Sequence, residues 1–590
     1  MSSEKIEQIH DEEVRGSAGV VETIGRKKKP RLAPQTILAI VSLCLLYNSY
    51  LFTQLMPAVI LSSINADLGP DPNYPWITIW YALSLSLTLA LIVVCSWNLG
   101  AAVVVTIGGR LSDIFGRRWF LISGAVFGAI GAVVGATGQT IPQMIGAGVL
   151  MGIGGGFGEM IFASVQEIVP NERRLFILGC VEISNLPAML SPMIGYAFIT
   201  HAKLGWRVCY WWMFAFEAFT AIALFFFYKP PSFETKHRDD GKTKRQLVAA
   251  LDYVGVLLFL AACILLLLGL NWGGRNFAWK SAAVIVSTIL SAVLFVLLGC
   301  WETYANLEYP ILPPRLFKKW RDFSSIIAVT FVGGMLYYSM NILWPRQSTL
   351  LYVPTGDSTL QGVYANMVSF GTILAGTMVL TIVPRCGHER WQMIGFLVVQ
   401  TGMIGSMGSV GVHDKAQAIA TIIIVAATVT PPQFLAFGMM SLGLESQADI
   451  GLSQGLLCTF RLIGGAIATA IYTAIQTNTY SGIVGNNVRS AASQSGYQGS
   501  ISTLLAAAET NTDAAYQQIP GITEQAIRAV QEAVKDANAV SYQRVYEIAV
   551  VFGGLAILTA LTTRDIDKKR KTNETAVQLE NQTEPVKAAV

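Results

Sequence analysis

Runs of about twenty apolar residues recur along this chain, and they leave few ways to fold it. A bilayer core about 30 Å thick is crossed by roughly 20 helical residues, whose backbone polar groups must be satisfied within the helix. Fourteen such runs are legible, at 36–60, 76–100, 119–138, 142–164, 175–200, 207–228, 250–270, 280–301, 323–344, 361–383, 391–411, 416–438, 450–475 and 545–563. Composition agrees, since 53% of the 590 residues are hydrophobic and only 13% charged, against about 25% charged in a soluble domain. Glycines fall inside the apolar runs, where small residues let helices approach closely. The expected fold is all-α and polytopic, with 14 transmembrane helices.

Charge gives these crossings a direction. Alternating the spans from a cytosolic start puts 30 of the 41 Lys and Arg residues on the cytosolic side, as positive-inside insertion requires. Both termini are then expected in the cytosol, and the long segment 476–543 outside. The polar start of the chain has no apolar stretch of the signal-peptide kind, so no cleaved leader is expected. Domain organisation follows: a polar N-tail (1–35), a first six-helix bundle (36–228), a cytosolic loop with two extra central spans (229–301), a second six-helix bundle (302–563) containing the outer segment 476–543, and a polar C-tail (564–590). Arg26-Lys27-Lys28-Lys29-Pro30-Arg31 closes the N-tail with a basic run suited to anionic lipid. The second span is anomalous: Trp76 to Gly108 is mostly apolar over 33 residues, and an irregular insertion is expected there, with a steeply tilted helix or an extra segment such as Leu91–Gly100 from a mistaken gene model as the alternatives.

Several functions are disfavoured. The five histidines are dispersed and the eight cysteines lack metal-ligand spacing, so neither metal nor cofactor is expected, and cysteines are read as small buried side chains. No G-x-x-x-x-G-K-[ST] loop is present. An enzyme or an ATP-driven pump is therefore not expected, nor a nucleic-acid partner.

The stretch Gly109-Arg110-Leu111-Ser112-Asp113-Ile114-Phe115-Gly116-Arg117-Arg118 reads as a tight cytosolic turn between the second and third spans. Its glycines permit close approach and unusual dihedrals. The order of Gly, Asp, Gly and paired Arg resembles the loop 2–3 signature of the major facilitator superfamily. That resemblance implies two six-helix bundles and casts Gly109, Asp113, Gly116, Arg117 and Arg118 as a conformational switch latching the two halves. Leu251-Asp252-Tyr253-Val254-Gly255, Leu270-Asn271-Trp272-Gly273-Gly274, Gly205-Trp206-Arg207 and Ser453–Ala466 look like the fourteen-span drug:H⁺ antiporter branch. With the long outer segment and Arg564-Asp565-Ile566-Asp567, the chain most resembles the fungal trichothecene efflux pump family, close to fungal siderophore–iron transporters. It departs from that branch at Asn48, Gly148 and Ser191, where relatives carry Asp, Arg and Gly, so their proton route does not transfer.

Ionisable side chains inside spans are costly and usually have a task. Glu182, Glu217 and Glu159 are candidate proton carriers, each with a structural carboxyl as the alternative. Glu182 ranks first, lying in a span bent by Pro187 and Pro192. Arg461, in the thirteenth span, is a counter-charge or a ligand contact. Gln54, Tyr338 and Asn341, and the aromatic Trp211 and Trp212, are candidate cavity residues, although Trp is common at membrane interfaces anyway. Pro431-Pro432-Gln433 is expected to break the twelfth span. The resulting expectation is a monomeric plasma-membrane carrier, with small-molecule substrate, protons and lipid as partners, exporting an amphipathic compound by H⁺ antiport. Siderophore–iron uptake by H⁺ symport is the alternative, followed by a non-transporting sensor.

Overall fold

The computed structural model describes residues 32–69, 97–231, 243–273, 277–305, 307, 309–354, 357–444, 449–497, 499–510, 513–566, 575 and 577. Most of the expected second span 76–100, nearly all of the N-tail with its basic run, and most of the C-tail lie outside the described residues. The described chain is almost entirely helical. Eleven of its helices are long and apolar enough to cross a membrane.

The first half comprises α1 (Pro34–Leu68), α2 (Trp97–Phe115), α3 (Arg118–Ala136), α4 (Ile141–Glu159), α5 (Ile161–Glu167), the short α6 (Arg174–Ile183), α7 (Leu186–Met189) and α8 (Ser191–His201), and α9 (Arg207–Phe227). Then come α10 (Tyr253–Trp272) and α11 (Ala282–Tyr304), the two additional spans. The second half holds α12 (Ser325–Tyr352), α13 (Ser358–Ala365), α14 (Met367–Thr381), α15 (Glu389–Met407), α16 (Lys415–Gly443), α17 (Ile450–Gln494) and α18 (Glu524–Thr562). The places of the expected second, fifth and eleventh spans are taken by α2, the broken α6–α7–α8 and α15. None of these three is among the eleven, because α2 follows undescribed residues, prolines interrupt the fifth, and α15 is comparatively polar.

Three expectations are corrected. The fifth span is not one helix: Pro187 and Pro192 sit at the starts of α7 and α8, where their missing N–H costs nothing. The twelfth span is not broken, since α16 runs continuously through Pro431 and Pro432. The Gln433 amide donates to the carbonyls of Val429 (3.1 Å) and of Gly333 on α12 (3.2 Å), tying α16 to α12 beside the two prolines. The outer segment 476–543, expected as a loop that turns helical only at about 524–537, is helical over most of its described length. With 45 residues α17 is roughly 68 Å long, so it projects well past a bilayer. Its outer part, the Ile501–Thr510 helix and the start of α18 enclose a separate small core of Val488, Leu504, Tyr516, Val530 and Val534.

Close helix packing shapes both halves. A Cβ on Gly154 of α4 would lie 2.7 Å from the Gly124 carbonyl oxygen and 2.8 Å from Gly128 N of α3. In the second half, a Cβ on Gly334 of α12 would overlap the backbone carbonyl of Arg461 on α17. Gly334→Ala is therefore expected to destabilise the protein by about 1–3 kcal/mol, read as a lowered melting temperature in detergent, whereas Gly395→Ala, in open space, should leave it unchanged. Between the halves, α10 and α11 pack on each other, with α10 also touching α17 and α2. The outer face of α11 is apolar and exposed, including Val286, Ile289 and Val296, as lipid contact demands. Cys209, Cys263 and Cys458 are buried as expected, but Cys300 and Cys386 are exposed. At the end opposite the basic loops, Arg207 Nη1 and Trp206 Nε1 donate to Asp67 Oδ2 at 2.7 and 3.1 Å. Those bonds, Arg207's first, hold the Asp67 carboxyl below its ordinary range.

Candidate functional site

The signature stretch lies mainly in the last turns of α2 rather than in a loop. Only Gly116 (φ +90°) and Arg117 form the turn into α3, and that positive φ is one glycine adopts without strain. Gly109 faces the second half directly: a Cβ there would lie 3.2 Å from the Gly451 carbonyl oxygen on α17. One turn on, Asp113 Oδ2 accepts from Leu452 N at 2.8 Å, placing a carboxylate on the N-terminus of α17, where the helix dipole favours it. Asp113 Oδ1 accepts from Arg117 Nη2 at 2.9 Å, and the same nitrogen reaches Glu167 Oε1 at 2.5 Å. Asp113 and Arg117 are buried, so this is a desolvated ion-pair network tying α2, α3 and α5 to α17.

Arg118 does not join it. Its Nη2 donates to the Phe225 carbonyl at 2.7 Å and its guanidinium lies over Trp119 and Phe225, all within the first half. Sequence reasoning missed Glu167, Gly451 and Leu452. Leu452 acts through its backbone N–H, which no side-chain pattern announces.

A second cluster sits between the halves. Glu159, fully buried at the end of α4, is hydrogen-bonded through Oε1 to the Tyr50 hydroxyl of α1. The Tyr338 hydroxyl of α12 reaches the same oxygen at 3.3 Å, and Arg461 Nη2 of α17 is 3.8 Å away. The Arg461 guanidinium lies 5.4 to 5.9 Å from the ring centres of Tyr338, Tyr337, Phe162 and Phe437, close enough for cation–π attraction. Glu159 Oε2 and Arg461 Nε have no hydrogen-bond partner among the described residues. Two helices from each half thus meet at one carboxylate and one guanidinium.

The other candidates are placed less centrally. Glu182, at the end of α6, is buried and accepts from Asn185 Nδ2 at 3.2 Å. Glu217 lies inside the first half, accepting from Ser49 Oγ at 2.9 Å beside Gly128. Gln54 is half-buried, and its Oε1 has no partner among the described residues. Asn341 turns back to the Tyr337 carbonyl at 2.9 Å on its own helix. Trp211 and Trp212 do not converge with them. They are 42% and 40% exposed; Trp211 shares an outward stripe of α9 with Phe219, Ile222 and Phe226, and Trp212 packs on Phe52 and Phe198. Tyr47, Ser49, Tyr50, Phe162 and Phe437 were missed. The run Tyr47-Asn48-Ser49-Tyr50, four polar-capable residues within an apolar span, was the available signal. Among the described residues no group of three or more His, Cys, Asp or Glu side chains could hold a metal.

Two helical halves joined by an ion-pair network at one end, with a buried charge pair between them, have the architecture of a major facilitator-type transporter, and a solved structure agrees. The proton:xylose symporter XylE bound to 6-bromo-6-deoxy-D-glucose superposes with a TM-score of 0.53 at 15% identity, covering 92% of this chain and 98% of that one. At that identity the likeness speaks for the fold alone. The narrower assignment comes from sequence: residues 83–588 match the fungal trichothecene efflux pump (TRI12) family, and the chain belongs to it. Trichothecene efflux pump TRI12 of Fusarium sporotrichioides is 30% identical over 80% of this chain and 79% of its own length. Its namesake in Trichoderma arundinaceum is 27% identical over 91% and 87%. The protein is a membrane efflux transporter.

Proposed function

We propose that this chain exports an amphipathic small molecule of the trichothecene kind in exchange for protons, with Glu159 as the proton-carrying carboxyl. The observation that carries the reading is the pairing of Glu159 with Arg461 across the two halves. Removing one partner's charge from a buried pair changes its energy by several kcal/mol. A proton arriving on Glu159 cancels the attraction to Arg461 and loosens α4 from α17, whereas proton release restores it. Glu159 thereby displaces Glu182 from first place, because Glu182 has no cation within ion-pairing distance among the described residues. Gly109, Asp113 and Arg117 act as the latch that closes the basic end while the other end exchanges its cargo. The basic end faces the cytosol of a plasma-membrane monomer, with both tails on that side.

The test uses yeast cells expressing the chain and loaded with tritium-labelled trichothecene. Export predicts several-fold lower retention than in cells without it, abolished by a protonophore. Equal retention in both strains would overturn the reading, and export indifferent to the protonophore would remove the proton from it.

A further inference from the structure

One turn of α1 sends a side chain towards each of the three buried carboxyls. The Tyr50 hydroxyl is bonded to Glu159 Oε1. Ser49 Oγ donates to Glu217 Oε2 at 2.9 Å. Asn48 Nδ2 donates to Asn185 Oδ1 at 3.4 Å, and Asn185 Nδ2 donates in turn to Glu182 Oε2 at 3.2 Å. Asn48 Nδ2 also reaches the Ser184 carbonyl at 2.8 Å, in the gap between α6 and α7. Successive helical residues are about 100° apart, so three consecutive side chains point to three different neighbours: α9, the α4–α12 contact and the break in the fifth span.

The charged and titratable surroundings differ at each arm. Glu159 is faced by Tyr47 and Tyr50 from α1, Tyr337 and Tyr338 from α12, and Cys458 and Arg461 from α17. Glu182 is faced by Arg461, Tyr47 and Tyr337. Around Glu217 the described residues supply the Ser49 hydroxyl and no ion-pair partner.

We propose that the Asn48–Ser49–Tyr50 turn is a positioning hub through which proton binding at Glu159 is felt at Glu182 and Glu217, so that the three carboxyls titrate as one coupled set. The proposal rests on the proton-exchange reading of Glu159. A carboxylate only accepts hydrogen bonds, whereas a protonated carboxyl also donates. A proton on Glu159 therefore turns the charge-assisted bond from the Tyr50 hydroxyl into a weaker neutral one, and re-orients that hydroxyl when the proton sits on Oε1. Because packed helix interfaces switch between discrete arrangements rather than deform continuously, Asn48 and Ser49 are displaced with the turn that carries them. Groups coupled this way share macroscopic titration steps.

Infrared difference spectroscopy of the full chain in nanodiscs tests this without substrate. The carbonyl stretch of each protonated carboxyl is assigned with Glu159→Gln, Glu182→Gln and Glu217→Gln, then followed between about pH 4 and about pH 9. Ser49→Ala is expected to move the titration midpoint of the Glu159 band by about half a pH unit or more, although Glu217 is the one carboxyl of the three that Ser49 bonds, and Ser49→Thr, which keeps the hydroxyl, to restore it. Tyr50→Phe is expected to move the Glu182 and Glu217 bands as well as that of Glu159. If each substitution moves only the band of its own contact, the carboxyls are independent and the hub is overturned. A chain that shows coupled bands but exports no trichothecene would overturn the transport reading and leave the hub standing.

Discussion

Replacing Glu159 with Gln is expected to lower proton-driven export by about two orders of magnitude, the scale on which a single proton-transferring group contributes, with normal amounts of folded protein at the membrane. Gln keeps the side-chain volume and can still meet Tyr50 and Tyr338 but cannot alternate between charged and neutral. Substituting its partner is predicted to act differently. Arg461→Ala leaves a fully buried carboxylate without its cation and removes a side chain packed among four aromatic rings. Breaking such a pair costs about 3–5 kcal/mol, so Arg461→Ala should fail chiefly in stability. Adding Glu159→Gln to Arg461→Ala should recover part of that loss, since no unpaired charge then remains. Thermal melting of the purified variants, with transport measured in parallel, separates the two effects.

The second large effect is expected at the latch. A Cβ on Gly451 would overlap the Asp113 carboxylate and the Arg117 guanidinium, so Gly451→Val prevents α2 from seating on α17. The hydrogen bond from Leu452 N to Asp113 involves a charged acceptor, worth about 1.5–3 kcal/mol. Losing it shifts the balance between closed and open basic ends by about 10- to 100-fold. The check is labelling of a cysteine placed at Ser112, which is buried behind the latch, using a membrane-impermeant maleimide and peptide mass spectrometry. Labelling is predicted to be about tenfold faster or more in the Gly451→Val background. Unchanged labelling would mean that this contact does not hold the end shut.

What the sequence disclosed depended on whether the signal was local. Apolar runs and charge bias are local, so most crossings and the two additional spans could be read directly. Asp113 and Arg117 stood out through their motif, but the α17 N-terminus that receives Asp113 belongs to the other half of the chain. Glu159 was visible as an in-span charge. Its contacts with Arg461 and Tyr338 were not, because those residues meet it only through tertiary packing. The continuation of α17 to Gln494 was hidden by its Ser, Gly and Asn content. There Val488 and Ala492 pack in the same small core as Val530 and Val534 of α18, so burial outweighs weak helix propensity. Trp211 misled because an aromatic side chain suits an interfacial outer face as well as a cavity. Pro431 and Pro432 misled because α16, packed against α12, α14 and α15, stays continuous through them, and such packing is not legible in the local sequence.

Proton exchange through Glu159 is tested most directly in proteoliposomes that hold a pH-sensitive dye in an acidic lumen. On addition of labelled trichothecene outside, the wild-type chain is predicted to take up label and alkalinise the lumen together. Glu159→Gln should equilibrate the label without alkalinisation. Proton release by Glu159→Gln at the wild-type ratio to substrate would contradict the account.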